Sequence, residues 1–284
     1  MLNLLKHEIK VRWVPTLAWG IVLALFGTTY ITIFPQVQEQ IRSIADWEIY
    51  QAMGFDMGTF EGFLGSTVVL FIPLVLAIYV ISNSTQTLAG EEDEGTLELL
   101  LAMPLARWQI VSAKALALGL STFLILAIVG AWNSWVLNWM KALVAVDISS
   151  RQLFVAVINA WPLTLLVGMI GLFLGAWLPT RRAAATTLTA FYLASYFTEN
   201  FASHIATLAP LRPFSIFSYF DTSRRVFQEG VQATDVLVLL GLAGAFFALA
   251  LFSFQRRNVS VGAWPWQRAA TPPTPGMDGD QLAE

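Results

Sequence analysis

Six stretches of this chain are each long and apolar enough to cross a lipid bilayer, and they leave little room for anything else. A helix needs roughly 20 mostly apolar residues to traverse the hydrocarbon. Such runs fall at about 14–34, 63–83, 110–140, 153–178, 183–203 and 236–254. Backbone groups in lipid have no water to bond with, so runs of this length dictate helices. The expected fold class is therefore an all-α integral membrane protein with six transmembrane helices. Composition agrees. Charged residues make up 12% of the chain, against about 25% in soluble domains. The third run is long enough to begin among the headgroups, with Lys114 snorkelling toward the cytoplasmic side. The fifth carries Glu199 and Asn200 near its outer end.

Orientation follows from the basic residues flanking the spans. With the N-terminus inside, ten of the 16 Lys and Arg residues fall on inner segments and six on outer ones. Arg181–Arg182 and Arg256–Arg257 abut span ends directly. The expectation is a multi-pass protein of the plasma membrane with both termini cytoplasmic. Ahead of the first span, Leu2, Leu5 and Ile9 share one helical face and Lys6 and Lys10 the other. That pattern suits a short interfacial helix over 1–13, or else a frayed, solvated terminus. The Pro- and Gly-rich residues 258–284 read as a flexible cytoplasmic tail. Outer segments 36–62 and 204–235 are dense in aromatics, which favours short interfacial or re-entrant helices.

Several chemistries are excluded. The net charge of −3 gives no basic field for nucleic acid, and there are no cysteines for disulfides, thiolate metal sites or thiol nucleophiles. Two histidines, His7 and His204, are too few and too far apart for a histidine metal site. No G-x-x-x-x-G-K-[ST] occurs, so the chain builds no P-loop and is not expected to be an enzyme.

Between the second and third runs lies EEDEGTLELLLAMPLARWQIVSAK, residues 91–114, in which seven of 24 residues are charged. Gly95 permits a chain reversal and Thr96 is a good N-cap for a helix beginning at Leu97. Glu91, Glu92, Asp93, Glu94 and Glu98 surround that helix start, where its dipole favours negative charge. Pro104 ends the helix, and Arg107 falls in the first turn of the next. The short helix LELLLAM is almost wholly apolar yet falls on the cytoplasmic side. Such a surface wants either a partner protein or the lipid headgroups, and the residues leave both open.

The same segment resembles the E–x–G–T–L–E–L–L–L–(A/S)–x–P–(hydrophobic)–x–R stretch between the second and third spans of ABC-2 type transporter permeases. FSYFD before the last span and FQRRN after it are similar to further family patterns, with Asn258 where Asp is common. The resemblance implies a six-helix ABC-2 type transmembrane domain over 1–257, in which 91–104 is a coupling element docking on a separate ABC ATPase subunit. Glu94, Gly95, Thr96, Glu98 and Arg107 carry the motif, and Leu97, Leu100 and Leu101 form its apolar knob. It also implies an exporter built from this chain and a second copy of itself or a related permease, with two ATPase subunits. ATP and Mg would be bound in those subunits and no cofactor by this chain.

Within the spans, Gly168, Gly171 and Gly175 line one side of the fourth helix. They suit either a dimer seam or packing inside one bundle. Asn133, Asn138, Asn159 and Glu199 are polar groups in or near the bilayer, and such groups usually face protein or a water-filled route. They are the candidate pathway residues. Two other readings remain: an ion-coupled secondary transporter with Glu199 as coupling group, and a non-transporting membrane anchor subunit.

Overall fold

The apolar runs become long helices. The computed structural model of the chain describes residues 1–45, 59–90, 106–141, 148–202, 205, 208–220, 226–227 and 229–256. Helix α1 spans Leu2–Ala45 and α2 spans Phe60–Thr85. Next come α3, Arg107–Met140, and α4, Ser150–Trp177. Last are α5, Arg181–Ala202, and α6, Ala233–Arg256. Two 3-10 turns, Ala209–Phe214 and Ile216–Tyr219, lie between α5 and α6. Among the described residues there is no strand.

Five of these helices, α1 to α4 and α6, are long and apolar enough to cross a membrane. Helix α5 has the length. Its 22 residues cover about 33 Å at roughly 1.5 Å per residue. Its composition differs, because Arg181, Arg182, Thr186, Thr187, Thr189, Ser195, Thr198, Glu199 and Asn200 dilute the apolar residues.

The N-terminus departs from expectation. Residues 2–13 form no separate interfacial helix; they are the first turns of α1, which runs on unbroken through Pro15 and Pro35. The physical reason is the polar stripe Glu8, Arg12 and Thr16, spaced i, i+4, i+8, which is buried against the other helices. Leu2, Val11 and Val14 face outward instead, 73%, 61% and 72% exposed. Lys6 and Lys10 are exposed as well, and Leu5 and Ile9 are half-buried, so the part of the polar surface that turns to protein is this stripe.

Helix α2 is irregular at both ends. Gly65–Val69 and Gln86–Gly90 each form a π-turn, an insertion that rotates the residues beyond it relative to a regular helix. Between them, the Pro73 carbonyl accepts a hydrogen bond from Tyr192 Oη of α5 at 2.9 Å. Within helix α4, Asn159 closes the segment Ser150–Ile158 and opens Ala160–Trp177, its own backbone angles remaining helical.

The core lies where α2, α3 and α4 meet. Ile72, Leu76 and Val80 pack with Leu118, Ile125, Leu163 and Leu166, all essentially inaccessible. The glycine side of α4 is occupied from within the chain. A Cβ on Gly168 would touch Leu118, one on Gly171 would collide with Ser84 and crowd Leu188, and one on Gly175 would rest on Thr85 and Ala89. These glycines let α2 lie against α4, so this face is packing within one bundle. Gly171→Ala should therefore lower thermal stability in detergent by about 1–3 kcal/mol, the usual cost of overpacking. Gly244→Ala, where an added Cβ meets nothing within 4 Å, should leave the melting temperature unchanged. Equal melting curves for the two variants would contradict this packing.

Candidate functional site

At one end of the bundle α1, α2 and α3 share a buried charge cluster. Glu8 and Arg12 are one turn apart on α1, and both are less than 10% exposed. Lys114 Nζ of α3 donates to Glu8 Oε1 at 2.8 Å. Arg12 Nη2 donates to Glu8 Oε2 at 3.3 Å and to Thr87 Oγ1 at 3.2 Å. Arg12 Nη1 donates to Asn83 Oδ1 of α2 at 2.9 Å. Asn83 is itself oriented by its amide donating to the Tyr79 carbonyl at 2.9 Å. One carboxylate thus bridges two cations, and one of those cations grips α2. Charges this deep persist only when paired and hydrogen-bonded.

Lys114 corrects an expectation. It does not snorkel outward to the cytoplasmic surface; it is wholly inaccessible and bound to Glu8. Its ammonium meets the Glu8 carboxylate at 2.8 Å instead of water at the surface.

Arg107, the one motif residue in the described part, holds a different element. Its Nη1 donates to the Phe254 and Gln255 carbonyls at 3.2 and 3.4 Å, and its guanidinium lies 5.9 Å from the Phe254 ring. These carbonyls belong to the last turn of α6, where helical acceptors lack internal donors and positive charge is favoured. Arg107 therefore clasps the start of α3 to the end of α6. The Ser253 hydroxyl, donating to the Ala176 carbonyl at 3.2 Å, adds α4 to the same end.

Residues Glu94, Gly95, Thr96, Leu97, Glu98, Leu100 and Leu101 lie outside the described residues, as does the whole stretch 91–104 and the tail 258–284. The candidate pathway residues are described, and each turns to a different neighbour. Asn133 is fully buried on α3 beside Gly27 and Thr28 of α1, and its Nδ2 has no partner among the described residues. Asn138 accepts from the Ser150 hydroxyl. Asn159 stands at the junction within α4, with helical backbone angles and no capping bond from its side chain. Glu199 is ion-paired with Arg212, with Oε1 at 2.7 Å from Nη2 and 2.9 Å from Nε. That hydrogen bond, and then the carboxylate charge, raise the Arg212 pKa above its ordinary value. No contact joins these four residues among the described ones.

Sequence reasoning missed Glu8, Arg12, Asn83 and Thr87. A signal was present in the i, i+4 spacing of Glu8 and Arg12. Another was the isolation of Lys114, the lone charged residue between Arg107 and Lys141.

No curated protein matches the chain in a sequence comparison. The family model described as ABC-2 family transporter protein matches residues 2–259, which takes in all six long helices. Members of that family are the membrane components that work with an ABC ATPase subunit. The apolar helices and this match together make the protein a multi-pass membrane protein, and the chain belongs to the ABC-2 family of transporter permeases.

Proposed function

We propose that this chain is the permease half of an ATP-driven exporter of the plasma membrane. Two copies, or one copy and a related permease, line the pathway, and two separate ATPase subunits bind and hydrolyse MgATP in the cytoplasm. Helix α5 is the sixth span, and both termini are cytoplasmic. Residues 91–104 dock on the ATPase, and the movement they receive rocks the spans between inward-open and outward-open or occluded states. No residue of this chain performs covalent chemistry.

The observation that carries this reading is where the docking motif is rooted. Gly90 follows Thr87 by three residues, and Ala106 precedes Lys114 by eight. Both flanks of the motif thus issue from the end of the bundle that holds the buried charge cluster and the Arg107 clasp. A segment with this footing passes a displacement directly into α2 and α3, and through the cluster and the clasp to α1 and α6.

Purification in mild detergent from the native membrane tests it. The expected particle contains two permease chains and two copies of a soluble ATPase, and it hydrolyses ATP. A transport-competent particle containing this chain alone would sink the exporter reading. Ion coupling through Glu199 has less support, because that carboxylate already has Arg212 as its counter-ion. A non-transporting anchor would copurify with the ATPase and give hydrolysis without any moved species.

A further inference from the structure

The buried cluster has a shape that stability alone does not require. Three charged side chains on two helices converge with Asn83 and Thr87, on the last turns of a third, at less than a tenth exposure for Glu8, Arg12 and Lys114. Apolar side chains would pack those positions with no desolvation cost. Replacing a buried ion pair by apolar residues is often neutral or stabilising. What a charge cluster adds is stiffness. Apolar helices slide past one another with small changes in contact energy. The attraction within a buried pair rises steeply as the local dielectric falls, so parting the partners is strongly opposed.

The placement gives that stiffness a direction. Lys114 stands two turns inside α3, downstream of the docking motif. Asn83 stands in the last turn of α2 and Thr87 in the π-turn that follows it, both upstream of the motif. Glu8 and Arg12 stand on α1, which the chain joins to the motif only by way of α2. Peptide bonds therefore carry a displacement of residues 91–105 into α2 and α3, and α1 receives it through non-covalent contacts. Thr16 Oγ1 and Tyr79 Oη, 3.4 Å apart, extend the polar contact one turn further along α1.

We propose that Glu8, Arg12 and Lys114 are positioning residues that lock α1 to α2 and α3, so that movement received by the segment between α2 and α3 also moves the first span. The proposal rests on the ATP-driven reading above. It assigns to the N-terminal turns a mechanical role in the transport cycle.

The chain has no cysteine, so a single reporter can be placed without background. Ile33, 40% exposed near the far end of α1, is changed to Cys and labelled with a solvatochromic thiol dye. The labelled permease, purified with its ATPase, is then trapped with ADP and vanadate. The expected result is an emission shift in the wild-type background on trapping. In Glu8→Gln/Lys114→Met, which removes one charge of each sign, the complex should still assemble and hydrolyse ATP while the shift is lost. Glu8→Asp, which keeps the charge, should retain at least part of it. A shift of wild-type size in the double variant would overturn the proposal while leaving the exporter reading intact. A double variant that neither assembles nor hydrolyses ATP would also overturn it, because the cluster would then be a requirement for folding. If no ATPase copurifies with the wild-type chain, the exporter reading fails first and this inference falls with it.

Discussion

Glu8→Ala should destabilise the bundle by about 3–5 kcal/mol, the typical cost of breaking one partner out of a buried ion pair. The variant removes the carboxylate that faces both Lys114 Nζ at 2.8 Å and Arg12 Nη2 at 3.3 Å. Two cations would then stand at the same buried site without the anion between them. The Asn83 and Thr87 oxygens would remain near Arg12, but neutral acceptors compensate a charge less well than a carboxylate. Thermal unfolding in detergent, followed by loss of the monodisperse peak, measures the effect. Glu8→Gln/Lys114→Met should melt closer to wild type than the single variant does, since it removes the anion together with one cation. A single variant that melts with the wild type would mean that water reaches the cluster and the burial argument is wrong.

Leu100→Asp should leave the permease inserted and folded but without its ATPase. The expectation follows from the docking reading of 91–104. A carboxylate placed in an apolar socket costs roughly several kcal/mol unless it is paired. Glu98→Lys should act in the same direction, because it puts positive charge where the sequence predicts a helix start and removes any salt bridge to the partner. Copurification and ATP hydrolysis of both variants, measured beside Ala269→Asp in the tail, give the answer. If both variants retain the ATPase and transport like wild type, residues 91–104 are an interfacial turn and the docking assignment is lost.

The helices were legible because lipid imposes them: runs of apolar residues longer than a bilayer's thickness have few other ways to satisfy their backbone. Helix α5 was legible as a helix. Its hydropathy sets it apart from the other five, because it carries Arg181, Arg182, Thr186, Thr187 and Thr189, all of them exposed. The sense of the amphipathic N-terminus was not legible. Periodicity reports that a helix has two faces, but it does not say which face meets protein. In water the apolar face turns inward; in α1 the polar stripe Glu8, Arg12 and Thr16 turns inward, because its partners Lys114, Asn83 and Tyr79 lie on other helices far along the chain. The same limit applied to Lys114, whose burial depended on a carboxylate 106 residues away. The glycines of α4 were legible as a close-contact face. Their partner was not, since Ser84 and a neighbouring chain are equally compatible with a G-x-x-x-G spacing. The polar residues Asn133, Asn138, Asn159 and Glu199 shared only their rarity, and rarity does not place them in one site.

The clasp between Arg107 and the end of α6 has a consequence for how the protein is made. Its two sides are separated by 147 residues. At about 5–20 residues per second, translation finishes the second side on the order of ten seconds after the first. Helix α3 therefore enters the membrane and meets α1, α2 and α4 well before the carbonyls of Phe254 and Gln255 exist. Helix α6, only 17% buried across its apolar window, can be added from the lipid side without disturbing what has already packed. Synthesis order and packing order coincide, and the last of the six helices is the one that closes this end of the bundle.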